Sequence, residues 1–245
     1  MTHPTSPYLA AAATAATAAA PGRSRTLAVL LITDAVLSIA PVAILGAAIG
    51  WPASLDNPAA QQLAAIAAAP GAVAFGYGVY LLYSILIAPV MIGLAARVFG
   101  GLGHPLAATV AAFGALSALA RCIGILRWLT VMPLLATAHA SADPALRQQL
   151  EWLFTGITEY GGGIGEVLGV SVFMAASVGT LAIGALLRGG MPPWLAAMGL
   201  LSAALLAGLA LPVLRGPELV PVVAAVSLLS AWMVAAGVWL WRRQG

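Results

Sequence analysis

Six long apolar stretches, separated by short segments rich in proline and glycine, constrain this chain more than any other feature of its sequence. An α-helix needs about 20 apolar residues to cross the hydrocarbon core of a bilayer. The six stretches cover residues 26–50, 72–96, 106–136, 160–187, 191–214 and 219–241. They predict an all-α fold, a polytopic membrane helix bundle with six transmembrane helices.

The composition supports a lipid environment. Of the 245 residues, 62% are hydrophobic and only 7% are charged, whereas a soluble domain carries about 25% charged residues. The net charge of +3 comes from scattered arginines, and no basic stripe indicates nucleic-acid binding. The predicted partner is therefore the lipid bilayer and not a nucleic acid.

The arginines indicate the orientation of the bundle, because cytoplasmic loops of membrane proteins carry an excess of positive charge. With the N-terminus in the cytoplasm, the inside set is Arg23, Arg25, Arg97, Arg188, Arg242 and Arg243, and the outside set is only Arg147 and Arg215. Both termini are therefore predicted inside. Residues 1–25 would form a disordered or weakly helical cytoplasmic tail, residues 26–241 the transmembrane domain, and residues 242–245 a cytoplasmic end. The alanine and arginine bias is typical of a GC-rich bacterial genome, so we expect a multi-pass protein of the bacterial plasma (inner) membrane.

The second outer loop contains an amphipathic segment, residues 144–158. It begins with Asp143 before Pro144, a favoured start of an α-helix. Its apolar side chains share one face at helical spacing, namely Leu146, Leu150, Leu153, Phe154 and Ile157. This helix either lies on the outer surface or leads directly into the fourth span. It is either an ordinary interfacial helix or a lid over a site among the spans.

Ionisable residues inside a membrane are costly, usually face the bundle interior, and are candidates for functional sites. Within the spans or at a span edge the chain carries Asp34, Arg121, Arg127, Glu159 and Glu166. At 1.5 Å per residue, Arg127 and Glu166 both lie about 31 Å from the inner ends of their helices, and Arg121 about 22 Å. We therefore expect Arg127 and Glu166 to meet near the outer boundary, and Arg121 to reach outward along its stem.

Asp34 and two tyrosines complete the candidate set. Asp34 lies about 12 Å from the inner end of its span, within reach of Arg121 rather than of Glu166. Tyr77 and Tyr80 share a face in the outer half of the second span. The alternatives are a ligand or ion site, an arginine–glutamate pair that only sets helix register, and an Arg127 that extends alone to the headgroups.

Three glycines predict close helix packing. Gly161, Gly165 and Gly169 recur every four residues beside the acidic face of the fourth span. Small residues at this spacing let a neighbouring helix backbone approach closely. The third span, which carries the two arginines, is the expected neighbour.

Several kinds of chemistry find no support in the sequence. The chain has one cysteine, Cys122, no lysine, and three histidines in predicted tails or loops. No Cys/His cluster suggests zinc, haem or an iron–sulfur centre. We therefore predict no catalytic residue, no metal site and no cofactor.

Three sequence segments resemble a family of bacterial six-helix membrane proteins called domain of unknown function 4386. They are RCIGILRW in the third span, ITEYGGGIGEVLG in the fourth, and IGALLRGGMPPWLAAMGLL between the fourth and fifth. The resemblance covers roughly Thr26 to Trp241 and is most specific from Arg121 to Leu201. It points to Arg121, Glu159, Tyr160, Gly161, Gly165, Arg188 and Gly190. Thr158 stands where the family pattern has a histidine. The resemblance implies fold and location, but no mechanism.

The leading functional hypothesis is a non-enzymatic membrane protein with a polar site in the outer half of the bundle. That site would bind a lipid headgroup, a small organic anion or a proton. One alternative is a small-solute transporter, which at this size would be oligomeric, with spans broken at Pro41, Pro89 or Pro133. Another is a structural or interaction subunit whose ion pairs only fix helix packing. A membrane enzyme is disfavoured because no acid–base constellation is visible. The sequence leaves the oligomeric state open.

Overall fold

A computed structural model describes residues 21–243, with side chains from Arg25 onward, and the regular elements in this range are helical. The helices are α1 Pro21–Ile49, α2 Ala59–Ala68, α3 Pro70–Phe99, α4 Pro105–Ser141, α5 Pro144–Gly162, α6 Met174–Arg188, α7 Pro193–Gly208 and α8 Val222–Arg242. A π-helical segment, Gly163–Phe173, joins α5 to α6, so that Pro144–Arg188 is one continuous helix. Short 3₁₀ turns occupy Ala53–Asp56 and Pro212–Leu214.

The predicted tail residues 1–20 and the end residues 244–245 lie outside the described residues. α1 begins at Pro21, within the predicted tail.

Five helices of the described chain are long and apolar enough to cross a membrane. They are α1, α3, α4, the continuous helix Pro144–Arg188, and α8. Large side chains such as Leu187, which is 79% exposed, cover their outer faces. Exposed apolar surface on long apolar helices is what lipid contact requires, so the chain is a multi-pass membrane protein with a helical bundle.

The predicted fifth span differs from the structure. Residues 191–214 contain α7, an apolar helix of only 16 residues, followed by the turn Pro212–Leu214. Proline has no backbone N–H, so Pro212 cannot donate to the carbonyl of Gly208, the residue at which α7 ends. The α-helical run is therefore shorter than the predicted span.

Two further features concern the segments between the spans. The loop after the first span contains α2, a short helix in addition to the predicted spans. The amphipathic segment and the fourth span form one helix, because the glycine-rich stretch Gly161–Gly163 continues into the π-helical segment instead of breaking the chain. Of the two arrangements considered for residues 144–158, the structure has the one that leads directly into the span.

The bundle centres on α3 and α4, which pack along each other. α1 lies against α3 and α8, and α7 lies against α6 and α8. One core cluster includes Met91, Met174 and Trp232. A second cluster includes Tyr77 and Trp128 together with residues of α2, and this cluster lies under the outer segments. α1, α3 and α4 continue through Pro41, Pro89 and Pro133 as unbroken helices.

Single cysteines test the proposed crossings in a Cys122→Ala background. We expect a membrane-impermeant maleimide, added to intact cells, to label Gln61→Cys and Glu218→Cys, which replace exposed residues. Gly103→Cys, in the exposed turn between α3 and α4, should be labelled only after permeabilisation. Residues 218 and 61 lie on the same side of the membrane only if α7 crosses the membrane. Protection of position 218 together with position 103 would therefore contradict a sixth crossing, and labelling of 103 alone would contradict the orientation.

Candidate functional site

α4 and the helix Pro144–Arg188 approach each other through facing glycines. A Cβ atom added to Gly124 of α4 would lie 2.7 Å from Cα of Gly165 and 2.9 Å from the carbonyl oxygen of Gly161. One turn further along, a Cβ on Gly169 would lie 3.0 Å from the backbone nitrogen of Arg121. The Ser117 hydroxyl donates a hydrogen bond of 2.7 Å to the Gly169 carbonyl. The three predicted packing glycines therefore all face α4.

Arg127 lies over this glycine face. Its Nη1 donates to the Gly124 carbonyl at 3.0 Å, and its guanidinium carbon lies 5.4 Å from the centre of the Trp128 ring. A Cβ on Gly161 would lie 2.5 Å from both Cδ and Nη1 of Arg127. Glycine at position 161 therefore leaves room for the Arg127 side chain. The buried positive charge is thus stabilised by a carbonyl dipole and an aromatic face.

Glu166 is the carboxylate nearest to Arg127. Its Oε1 lies 3.9 Å from Nη2 of Arg127, a distance typical of an ion pair without a hydrogen bond. The Arg127 side chain is 8% exposed and that of Glu166 is 61% exposed. Glu166 belongs to the π-helical segment, and such segments occur frequently at functional sites. The pair therefore combines a buried cation with a carboxylate at the edge of the bundle.

Arg121 is buried more deeply than Arg127, and more of its nitrogen atoms lack a hydrogen-bond partner. Its residue is 3% exposed, and its Nη1 lies 3.5 Å from the Tyr83 hydroxyl, a long contact in which the guanidinium donates. Its Nε and Nη2 atoms are buried and have no hydrogen-bond partner within the described part of the chain. The same is true of Nε of Arg127 and of the Tyr77 hydroxyl. A buried donor without a partner costs free energy.

Aromatic rings form a row beside the arginines. Along α3 the rings of Tyr80 and Tyr83 stack with centroids 4.9 Å apart, and those of Tyr77 and Tyr80 with centroids 6.4 Å apart. Trp128 of α4 stacks on Tyr77 at 4.8 Å, and Trp51 meets Tyr80 edge-on at 6.0 Å. We call these five residues the aromatic row.

The arginines, Glu166 and most of the aromatic row border one cleft. The volume of the cleft is about 370 Å³, a figure that includes open solvent at its mouth, so the enclosed part of the cleft is smaller than this. Its lining is Trp51, Leu55, Tyr77, Tyr80, Arg121, Gly124, Ile125, Arg127, Trp128, Gly165 and Glu166. The cleft is therefore apolar on one side and carries two guanidinium groups and one carboxylate on the other.

The segment between α1 and α2 closes one side of the cleft. Trp51 and Leu55, which line it, precede α2. The Gln62 amide of α2 donates to the Leu55 carbonyl at 3.1 Å and to the Asn57 carbonyl at 2.8 Å, which ties the segment to this helix. Trp51 and Trp128 stand near the ends of predicted spans, a position typical of interfacial anchors, and their place at the cleft was not predicted from the sequence. Their spacing near span ends gave no signal that would separate the two roles.

The predicted amphipathic helix has a different position. No residue of α5 lines the cleft. Phe154 packs edge-on against Trp128 with centroids 6.2 Å apart, beneath the aromatic row. Near the end of α4, Nε2 of His139 lies 3.0 Å from Oε1 of Glu151. This helix therefore supports the cleft from outside its walls, and the segment that covers it is the other outer loop.

Two predicted site residues lie apart from the cleft. Glu159 is exposed and does not line it, although its charge acts on Arg127. Asp34 is buried in α1, and its charge interacts with Arg121. Between Pro21 and Arg243 no group of three or more His, Cys, Asp or Glu side chains is arranged to hold a metal ion. The cleft therefore offers hydrogen-bond donors and fixed positive charge.

A family model, Domain of unknown function (DUF4386), matches residues 8–243. The chain belongs to this family. No curated protein and no solved structure matches the chain. The residues on which the sequence resemblance rests include several described above. Arg121 and Gly165 are at the cleft, Gly161 makes room for Arg127, and Thr158 lies about one turn before Gly161 on α5.

The family's turn between the fourth and fifth predicted spans also has a structural reason. Gly190 has a φ of +91°, a left-handed conformation that side chains rarely adopt. A Cβ there would also lie 2.5 Å from the Val98 carbonyl oxygen. Nη1 of Arg188 lies 2.7 Å from the His104 ring nitrogen Nε2. These contacts join the turn to the ends of α3 and α4, at the end of the bundle opposite the cleft.

The glycine interface predicts a specific loss of stability. Gly124→Ala should lower the free energy of unfolding by about 1–3 kcal/mol, because its Cβ meets backbone atoms that cannot move independently. The matched control is Gly78→Ala, also in a predicted span, where a Cβ would meet nothing within 4 Å. Thermal unfolding of the detergent-purified protein measures both. Equal midpoints for the two variants would contradict the close approach of the helices.

Proposed function

We propose that this chain binds a small anion, a carboxylate or a phosphate-bearing headgroup, in the outer-half cleft, and that binding rather than catalysis is its function. The observation that carries this proposal is the excess of buried positive charge at the cleft. Two guanidinium groups, of Arg121 and Arg127, line it together with a single carboxylate, that of Glu166. An anion in the cleft would be attracted to this local positive charge.

Unsatisfied donors support the same ligand chemistry. Three buried nitrogen atoms of the two arginines and the Tyr77 hydroxyl lack hydrogen-bond partners among the described residues. Guanidinium groups present several N–H donors in a planar fork that suits carboxylate and phosphate oxygens. A ligand oxygen between Arg121 and Arg127 would satisfy donors that the protein itself leaves free. Tyr77 and Tyr80 would flank it.

Glu166 has a competing role in this proposal. It is the carboxylate nearest to Arg127, yet its 3.9 Å separation leaves no hydrogen bond. In the empty cleft it partly neutralises Arg127, and a bound anion would take over that role. The aromatic row favours a ligand that carries a flat apolar group next to its anionic group, because such a group can stack on the rings.

The membrane arrangement is part of the proposal. We propose six crossings with both termini in the cytoplasm, residues 26–241 as the transmembrane domain, and a bacterial plasma membrane as the location. α7 with the following turn to Leu214 is long enough to reach across a bilayer, since 22 residues at helical rise span about 33 Å. The cleft then opens toward the outer side.

Two alternative functions can be distinguished from anion binding by experiment. An oligomeric small-solute transporter is favoured by the π-helical segment, which interrupts regular helical hydrogen bonding beside the cleft. A structural subunit is favoured by the contact of Arg127 with Glu166, because such a pair can hold two helices in register. Only the binding functions require that an added anion stabilise the protein.

The test is thermal unfolding of the purified full chain with benzoate, acetate or inorganic phosphate. We expect benzoate to raise the unfolding midpoint of wild type, because a ligand at 100 times its Kd adds about 2.7 kcal/mol of stability. Arg121→Gln should lose this stabilisation. Glu166→Gln should bind benzoate more tightly, because it removes the competing carboxylate.

The matched control is Arg147→Gln, which removes an exposed arginine outside the cleft and should keep the benzoate response. Stabilisation by phosphate or by an anionic phospholipid, but not by benzoate, would identify a headgroup as the ligand. If none of these anions stabilises wild type while Arg121→Gln and Glu166→Gln both melt earlier, the structural alternative replaces the proposed function. Uptake of a bound anion by proteoliposomes would favour transport.

A further inference from the structure

The end of the bundle opposite the cleft contains a histidine whose two ring nitrogens both face donors. His104 is the N-cap residue of α4, and its Nδ1 accepts a hydrogen bond of 3.1 Å from the backbone N–H of Leu106. Its other ring nitrogen, Nε2, lies 2.7 Å from Nη1 of Arg188. A guanidinium group donates and cannot accept. Both ring nitrogens of His104 are therefore placed where acceptors are required.

An imidazole ring cannot accept at both nitrogens. The neutral ring has one N–H and one lone pair, and the protonated ring has two N–H groups. When Nδ1 accepts from Leu106, Nε2 carries the proton, so that an N–H of His104 and an N–H of Arg188 meet without an acceptor. An oxygen atom from a ligand, bound beside both nitrogens, would accept from both.

The two turns that carry this pair are fixed against each other. Gly190 follows Arg188, and a Cβ on it would lie 2.5 Å from the Val98 carbonyl oxygen at the end of α3. The ring of Phe99 stacks on the His104 ring with centroids 5.2 Å apart. The two donors are therefore held in place before a ligand arrives, which lowers the entropy cost of binding.

Charge at this end of the bundle is positive and is not balanced by acidic side chains. The chain has seven Asp and Glu residues. Asp34 is buried within α1, and the other six lie toward the cleft end, namely Asp56, Asp143, Glu151, Glu159, Glu166 and Glu218. The arginines with described side chains at the opposite end are Arg25, Arg97, Arg188, Arg242 and Arg243. An anion at Arg188 would therefore meet no competing carboxylate side chain.

Apolar side chains around the pair indicate a lipid as the source of the anion. Leu187, next to Arg188, is 79% exposed, and Trp194 at the start of α7 is 58% exposed. Leu102, in the turn before His104, is 47% exposed. Tryptophan is enriched where the hydrocarbon core meets the headgroups. The pair thus lies at the level of the lipid phosphates, with apolar surface beside it for the acyl chains.

We propose that Arg188 and His104 form a binding site for the phosphate group of an anionic phospholipid. One phosphate oxygen accepts from Nη1 of Arg188 and from Nε2 of His104, which supplies the acceptor that both lack. A zwitterionic phospholipid fits less well, because its cationic group would meet arginines and no carboxylate. In the orientation proposed above, this lipid belongs to the inner leaflet, where anionic headgroups attract basic residues.

The experiment is native mass spectrometry of the detergent-purified full chain with phosphatidylglycerol or phosphatidylcholine of the same acyl chains. We expect the Kd of wild type to be about tenfold lower for phosphatidylglycerol. Arg188→Gln should raise the phosphatidylglycerol Kd about tenfold, because it removes a charge-assisted hydrogen bond. His104→Asn should raise it about fivefold, because asparagine keeps the N-cap acceptor for Leu106 but removes the Nε2 donor.

The matched control is Arg242→Gln, which removes an exposed arginine at the same end of the bundle. It should keep most of the phosphatidylglycerol affinity. Equal losses in Arg242→Gln and Arg188→Gln would overturn the site, because the lipid would then respond only to the overall charge of this end. Displacement of phosphatidylglycerol by an equal concentration of inorganic phosphate would overturn the assignment of the site to a lipid.

This inference and the proposed function are tested separately. Benzoate stabilisation reports on Arg121 at the cleft, whereas the lipid measurement reports on Arg188 and His104 at the other end, so either result can fail while the other stands. An unchanged phosphatidylglycerol Kd in both Arg188→Gln and His104→Asn overturns the lipid site. If Arg188→Gln does not yield folded protein, His104→Asn decides by itself.

Discussion

The close contact between α4 and the helix Pro144–Arg188 is the constraint on which the candidate site depends. In lipid there is no hydrophobic force between apolar helices, so close backbone packing and interhelical hydrogen bonds must hold them. The contact of Gly124 with Gly165 provides the close backbone packing. Serine hydroxyls provide the interhelical hydrogen bonds, since Ser117 donates to the Gly169 carbonyl at 2.7 Å and Ser177 donates to the Val110 carbonyl at 2.8 Å. Because the backbones touch, the arginine side chains of α4 must lie over glycines or extend into the cleft.

The charges inside the bundle form a balanced set that contact distances alone do not reveal. Arg121 and Arg127 carry two positive charges, and Asp34 and Glu166 in their ionised forms carry two negative charges. Within the described residues, one of these acids comes within 4 Å of an arginine, at 3.9 Å. Charges in a low-dielectric interior interact over longer distances than in water, so the set is coupled without tight ion pairs.

Sequence reasoning succeeded where a periodic pattern reports directly on burial. The apolar runs gave the all-α membrane class, and the depth count brought Arg127 and Glu166 to the same level. It failed where position depends on tertiary packing. The π-helical segment, the separate helix α2 and the shortened α7 reflect local geometry that hydropathy does not encode. Trp128 near a span end has the pattern of an interfacial anchor, and only its stacking on Tyr77 shows that it belongs to the cleft.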